Sequence, residues 1–232
     1  MATYVLIHGA YQGGWIWKPV AQRLQKAGHS VYAPTLEGCG ERHERVRAGI
    51  TVSTHAREIE RLLFYEDLRD VVLAGTSSGG MVICQAAPLA PERIARLAFV
   101  DALALLPGER VADIVNRPAA NEITALTTSP TRPDAEGRMF ADLEPATRAW
   151  ALDRYTPHPI AALEAPMEPT EFWERTWTAS VIRCQRARNP PEAHQRRTAE
   201  RLKASYAELD TGHYPMLSEP EALTRLLLRA VD

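Results

Sequence analysis

Val71-Val72-Leu73-Ala74-Gly75-Thr76-Ser77-Ser78-Gly79-Gly80-Met81-Val82-Ile83 reads as an apolar strand, a G-x-S-x-G turn and an apolar helix in immediate succession. That succession exposes a serine hydroxyl at a sharp strand-to-helix turn, and it makes Ser77 the candidate nucleophile. The turn is so tight that the positions two before and two after the serine need almost no side chain; Gly75 and Gly79 fill them. Gly80 lets the following helix pack close.

Outward from this turn, short β-branched runs alternate with amphipathic segments. Strands are predicted at Tyr4–His8, Ser30–Ala33, Val71–Gly75, Leu97–Asp101, Ser180–Cys184 and Ser205–Leu209. Most are continuous apolar runs, as expected of a parallel sheet covered on both faces. Helices are predicted at Trp17–Lys26, Ser53–Phe64, Ser78–Ala87, Ala193–Lys203 and Glu219–Val231, where apolar residues recur at three- and four-residue spacing. Ser53 and Ser218 read as N-caps, Ser218 forming a capping box with Glu221. The expected class is α/β, a doubly wound, mostly parallel sheet of about six strands.

One stretch breaks the alternation. Residues 105–178 are rich in Pro, Thr, Arg and acidic side chains, with helical patterns near Val111–Val115 and Pro145–Tyr155 and no convincing strand. A connection this long inside a compact domain points to a functional insertion, so a core of 1–104 and 179–232 with a helical cap at 105–178 is expected. Met139, Phe140, Trp150, Tyr155, Met167, Phe172, Trp173 and Trp177 supply its apolar surface; each is read first as packing and second as a substrate contact.

Composition narrows the function. The chain has 232 residues, 45% hydrophobic and 24% charged, enough for one domain with a full core. A formal charge of -2 gives no electrostatic footprint for nucleic acid or an anionic membrane. The start runs directly into a strand without a basic leader, and no apolar run approaches the roughly 18 residues of a membrane span, so a cytoplasmic location is expected. Cys39, Cys84 and Cys184 are too few and too scattered for a disulfide framework or a zinc site. Cys84 and Cys184 read as core thiols, and Cys39, in a Gly-rich loop, as core or reactive. No cofactor or metal is expected.

Four motifs stand in register: Val5-Leu6-Ile7-His8-Gly9-Ala10-Tyr11-Gln12-Gly13-Gly14-Trp15, the Pro34–Arg42 loop, the Ser77 turn, and Gly212-His213-Tyr214-Pro215-Met216-Leu217-Ser218. Together they resemble the α/β-hydrolase superfamily, and within it the plant methylesterase and hydroxynitrile lyase group with its bacterial esterase relatives. The resemblance implies His213 as the general base, late in the chain in the order serine, acid, histidine. It implies an oxyanion hole from the backbone N–H groups of Ala10 and Ser78, with His8 shaping that loop. Gly9, Tyr11, Thr76, Trp150 and Tyr214 are the expected substrate-contacting positions. His29, His43, His55, His158 and His194 stand in polar contexts and read as exposed bystanders.

The chain departs from these relatives at the acid. They carry an aspartate in a Cys-x-x-Asp pattern, whereas the run here is Cys184-Gln185-Arg186-Ala187-Arg188-Asn189. Asp101, ending the strand after the nucleophile strand, is the first substitute, with a role in loop structure as its other reading. Asp210 is expected to brace the histidine loop, and Asn189 to serve at most as a neutral acceptor.

Three function classes follow. The first is a serine hydrolase cleaving a small carboxylic ester through an acyl-enzyme on Ser77. The second is a cofactor-free lyase, decarboxylase or cyclase using Ser77 and His213 for proton transfer. Gly9 and Tyr214 argue against cyanohydrin cleavage, because hydroxynitrile lyases of this group carry threonine and lysine there. The third is a non-catalytic ligand-binding relative.

Overall fold

Residues 1–115 and 121–229 are described by a computed structural model. Its strands, in chain order, are β1 (Thr3–Ile7), β2 (Ser30–Tyr32), β3 (Val71–Ser77), β4 (Ile94–Ala102), β5 (Asn121–Ile123), β6 (Thr127–Pro130), β7 (His158–Pro159), β8 (Ala179–Cys184) and β9 (Ser205–Leu209). The longer helices are α1 (Lys18–Lys26), α2 (Val52–Tyr65), α3 (Gly79–Ala86), α4 (Pro145–Leu152), α5 (Glu192–Leu202) and α6 (Pro220–Arg229). Strands pair in the order β2-β1-β3-β4-β8-β9, and every pairing in this sheet is parallel.

Continuous apolar runs are explained by a core on each face. Val5, Ile7, Leu73 and Phe99 pack on one side with Ile59 and Leu63 of α2 and Met81 and Ile83 of α3. The alternate residues Tyr4, Leu6, Val72 and Val100 pack on the other side with Val20 and Leu24 of α1 and Leu223 and Leu227 of α6. Each such side chain, fully removed from water, contributes about 1.5–3 kcal/mol, so a polar residue at any of these positions has no solvated face to turn to.

Strand order sets the position of the site. From β1 the chain moves outward to β2, returns to β3 on the other flank of β1, and continues away through β4 and β8. The order therefore reverses between β1 and β3, and the crevice beyond the carboxyl ends of those strands is where open α/β sheets bind ligands. His8, Gly9 and Ala10 leave β1 there, and Ser77 ends β3 there.

Several local expectations are corrected. The N-cap of α2 is Thr51, whose hydroxyl accepts from Thr54 N while Thr54 caps Thr51 in return; Ser53 lies inside the helix. Ser218 closes the single turn Pro215–Ser218 instead of capping α6, and its hydroxyl donates to Tyr214 O at 3.1 Å. The predicted end of α6 at Val231 falls outside the described residues. Between β4 and β8 the chain forms α4 and a small antiparallel sheet, β5-β6-β7, so this segment is mixed and not purely helical. These strands are too short, and too rich in Thr, Asn and Pro, to leave an alternating pattern in the sequence.

Candidate active site

Ser77 sits at φ 52°, a left-handed conformation that costs a side-chain-bearing residue energy and survives only where the surroundings impose it. The imposition comes from two close approaches. A Cβ on Gly79 would stand 2.8 Å from the carbonyl oxygens of Ile7 and His8, and a Cβ on Gly9 would stand 2.6 Å from Ser77 Cβ. Strand β1, the turn and the start of α3 therefore meet at backbone contact, with the Ser77 side chain at the junction.

Asp101 reaches the site through a bulge. Along β3 and β4, Thr76 pairs with Val100 but Ser77 pairs with Ala102, so Asp101 is the extra residue, at φ 46°. A bulge re-aims the inserted side chain. Here it turns the carboxylate, wholly buried, toward the loop after β8. Oδ1 accepts from Cys184 N at 3.0 Å and from Gln195 Nε2 at 2.6 Å, and Oδ2 lies 2.5 Å from His213 Nδ1.

The loop carrying His213 follows β9. Arg186 N donates to Thr211 O at 3.0 Å, Thr211 and Ser218 share a hydroxyl contact of 2.7 Å, and the single turn Pro215–Ser218 closes behind it. Asp210 pairs with Arg186 Nε at 3.2 Å, tying this loop to the one after β8. Gly212 is pressed from the other side: a Cβ there would fall on the carboxylate of Asp142, which arrives from the segment between β4 and β8.

The loop after β1 is held as firmly. His8 is buried, donates from Nδ1 to Gly9 O at 2.8 Å and accepts at Nε2 from Leu36 N at 3.0 Å. Burial pushes its pKa down to about 4, so it serves as a neutral brace. Gln12, which the sequence reading did not single out, accepts from Gly9 N at 3.1 Å and hydrogen-bonds the hydroxyl of Tyr214. One amide thus joins the loop after β1 to the residue after His213.

Ser77, Ser78, Ala10 and His213 border one cavity of about 890 Å³, together with Tyr11 and Tyr214. Asp101 lies behind His213, shielded from solvent. Three of the expected substrate contacts are corrected. Gly9 packs beneath Ser77 and is not on the cavity wall. Thr76 is buried, because strand alternation turns it away from the cavity, and its hydroxyl has no partner. Trp150 packs edge-on against Trp15 at 5.3 Å beneath Arg154, away from the cavity. Of the aromatic and methionine residues noted in the 105–178 segment, Met139 alone lines the cavity; Phe140 packs under Tyr214 at 5.0 Å, and Trp177 stacks on Phe172.

His55, His158 and His194 are buried and not exposed bystanders. His55 Nε2 donates to Glu37 O at 2.9 Å, His158 Nδ1 lies 3.4 Å from Cys39 Sγ, and His194 Nε2 accepts from Ala104 N at 3.0 Å. Each looks polar in sequence because its neighbours along the chain are. Burial pushes the thiols of Cys39, Cys84 and Cys184 up, which leaves Cys39 an inert core group.

Residues 4–226 match the family model described as the alpha/beta hydrolase family. A carbendazim-hydrolysing esterase from Nocardioides sp. (strain SG-4G) is 31% identical over 177 residues, covering 72% of this chain and 73% of its own. Methylesterase 7 of Arabidopsis thaliana is 26% identical over 257 residues, covering 99% and 96%. Among solved structures, an extracellular α/β-hydrolase from a Paenibacillus species superposes with a TM-score of 0.84 at 23% identity, covering 99% of both chains; its description gives it structural and functional homology to tobacco salicylic acid binding protein 2. No helix among the described residues is long and apolar enough to cross a membrane.

Proposed function

Because this chain belongs to the alpha/beta hydrolase family and is related to esterases, we propose that it cleaves a small carboxylic ester through an acyl-enzyme on Ser77. The observation that carries this reading is the 2.5 Å contact between His213 Nδ1 and Asp101 Oδ2, with His213 and Ser77 on one cavity wall. Asp101 accepts from Nδ1–H and so presents the unprotonated Nε2 of His213 as the base. His213 takes the Ser77 proton as Oγ attacks the acyl carbon, and the negative charge moves to the carbonyl oxygen. The N–H groups of Ala10 and Ser78 meet that oxygen, each such donor being worth roughly 3–4 kcal/mol in the transition state.

His213 then gives the proton to the departing alkoxide, and the alcohol leaves. Water attacks the acyl-Ser77 carbonyl, His213 accepts one of its protons, and the carboxylic acid departs as Ser77 is restored. Asp101 holds the imidazole's tautomer and balances the imidazolium. The segment between β4 and β8 acts as a cap, contributing Met139 and Asp142 to the cavity wall.

Ser77→Ala is expected to abolish hydrolysis of p-nitrophenyl acetate, and a serine-directed phosphonate to label Ser77 by mass spectrometry. A stoichiometric burst of p-nitrophenol separates an acyl-enzyme from a lyase that only shuttles protons between Ser77 and His213. Full turnover by Ser77→Ala overturns the reading.

A further inference from the structure

The cavity over Ser77 is bordered by side chains of both charges. Among the described residues, Arg138, Arg186 and Arg188 border it together with one carboxylate, Asp142. Two of the guanidiniums are already matched. Arg138 is gripped by both oxygens of Asp134, with Nε 2.8 Å from Oδ1, and Arg186 pairs with Asp210 at 3.2 Å while donating to Asp210 O at 2.6 Å. Arg188 has no hydrogen bond or ion pair among the described residues.

Its backbone is placed by the site itself, and its side chain is exposed. Arg188 follows Ala187, whose N–H closes a turn onto Cys184 O at 3.1 Å, and Cys184 N in turn holds Asp101. The loop 185–190 contains no acidic residue, so nothing along it opposes the charge of Arg188. An unmatched charge on a cavity wall attracts a ligand group of the other sign.

We propose that the ester turned over at Ser77 carries a carboxylate elsewhere in the same molecule, and that Arg188 selects it; this rests on the esterase reading above. A single unmatched guanidinium suits a carboxylate, whose planar pair of oxygens accepts two parallel N–H bonds from the fork.

Two matched pairs of esters test this. Monomethyl glutarate against methyl pentanoate places the charge on the acyl side; acetoxyacetate against propyl acetate places it on the alcohol side. The wild-type protein should prefer the charged member of one pair in kcat/KM by about five- to tenfold, a preference that shrinks in high salt. Arg188→Gln should lose that preference mainly through KM, and Arg188→Lys should retain part of it. Preference for the neutral member in both pairs, or a ratio untouched by Arg188→Gln, overturns the proposal. Should none of the four esters turn over, the esterase reading fails by itself. Calorimetric binding of monomethyl glutarate then decides the anion site: binding lost in Arg188→Gln supports it, and absent or unchanged binding overturns it.

Discussion

Gln195 Nε2 lies 2.6 Å from Asp101 Oδ1, while Gln195 Oε1 is buried with no partner. An unmatched buried oxygen costs about 1–3 kcal/mol, which this amide bears while holding the carboxylate that faces His213. On the proposed mechanism Gln195 is a positioning residue. Gln195→Leu should lower kcat about tenfold with KM little changed, since Cys184 N still holds Asp101. Gln195→Glu sets a second carboxylate against Asp101, and the pair should share a proton. The pH–rate profile should then shift upward, which a purely structural glutamine does not predict.

Asp101→Asn keeps the shape of the carboxylate but presents the wrong hydrogen-bonding group to His213. A fall in kcat of about 10³–10⁴ is expected, measured with an activated ester. Adding Ala187→Asp to that variant places a carboxylate at the position where the resemblance implies the acid. Partial recovery in the double variant is expected, because Ala187 borders the same cavity as His213.

Gly9→Ala directs a methyl group 2.6 Å from Ser77 Cβ and 3.2 Å from Thr76 O. Neither neighbour is the free end of a flexible chain, so the turn itself must move. Activity should fall by about 10² or more, as expected when a reacting group is misplaced by about 1 Å. The far-ultraviolet circular dichroism should remain that of the folded protein.

Three buried histidines make the fold sensitive to acid. His8 and His194 have pKa values lowered to about 4, and that of His55 is also lowered, mainly by burial in each case. The unfolded chain binds protons at these side chains below about pH 6.5, whereas the folded chain refuses them. Stability is therefore full above about pH 6.5 and declines as pH falls toward 4, by roughly 3 kcal/mol at most for each of His8 and His194. Urea unfolding across this range should show the decline, and His194→Gln should flatten it.

The sheet was legible because its strands are buried on both faces, so that Val5-Leu6-Ile7 and Val71-Val72-Leu73 have no polar position to confuse the pattern. Ser77 and His213 were legible because their turns demand particular neighbours. Asp101 was legible only as one alternative, since a one-residue bulge in β4 decides where its carboxylate points and leaves no mark on composition. Gln12 and Gln195 escaped notice for a related reason: their role lies in partners 202 and 94 residues away, Tyr214 and Asp101. Trp150 misled because an aromatic residue on an amphipathic helix reads alike whether it faces a ligand or another tryptophan.

The bulge in β4 also divides labour between two loops. An acid after β8, where the resemblance places it, would have to be held by that loop in register with the histidine. On the proposed mechanism Asp101 is supplied from β4, and the loop after Cys184 is held by its backbone turn, by Gln185 on Glu208 and by Arg186 on Asp210. On that mechanism, substitutions at Arg186, Ala187 and Arg188 should change which molecules enter more than they change the chemistry, and the loop becomes a route by which the scaffold acquires new substrates.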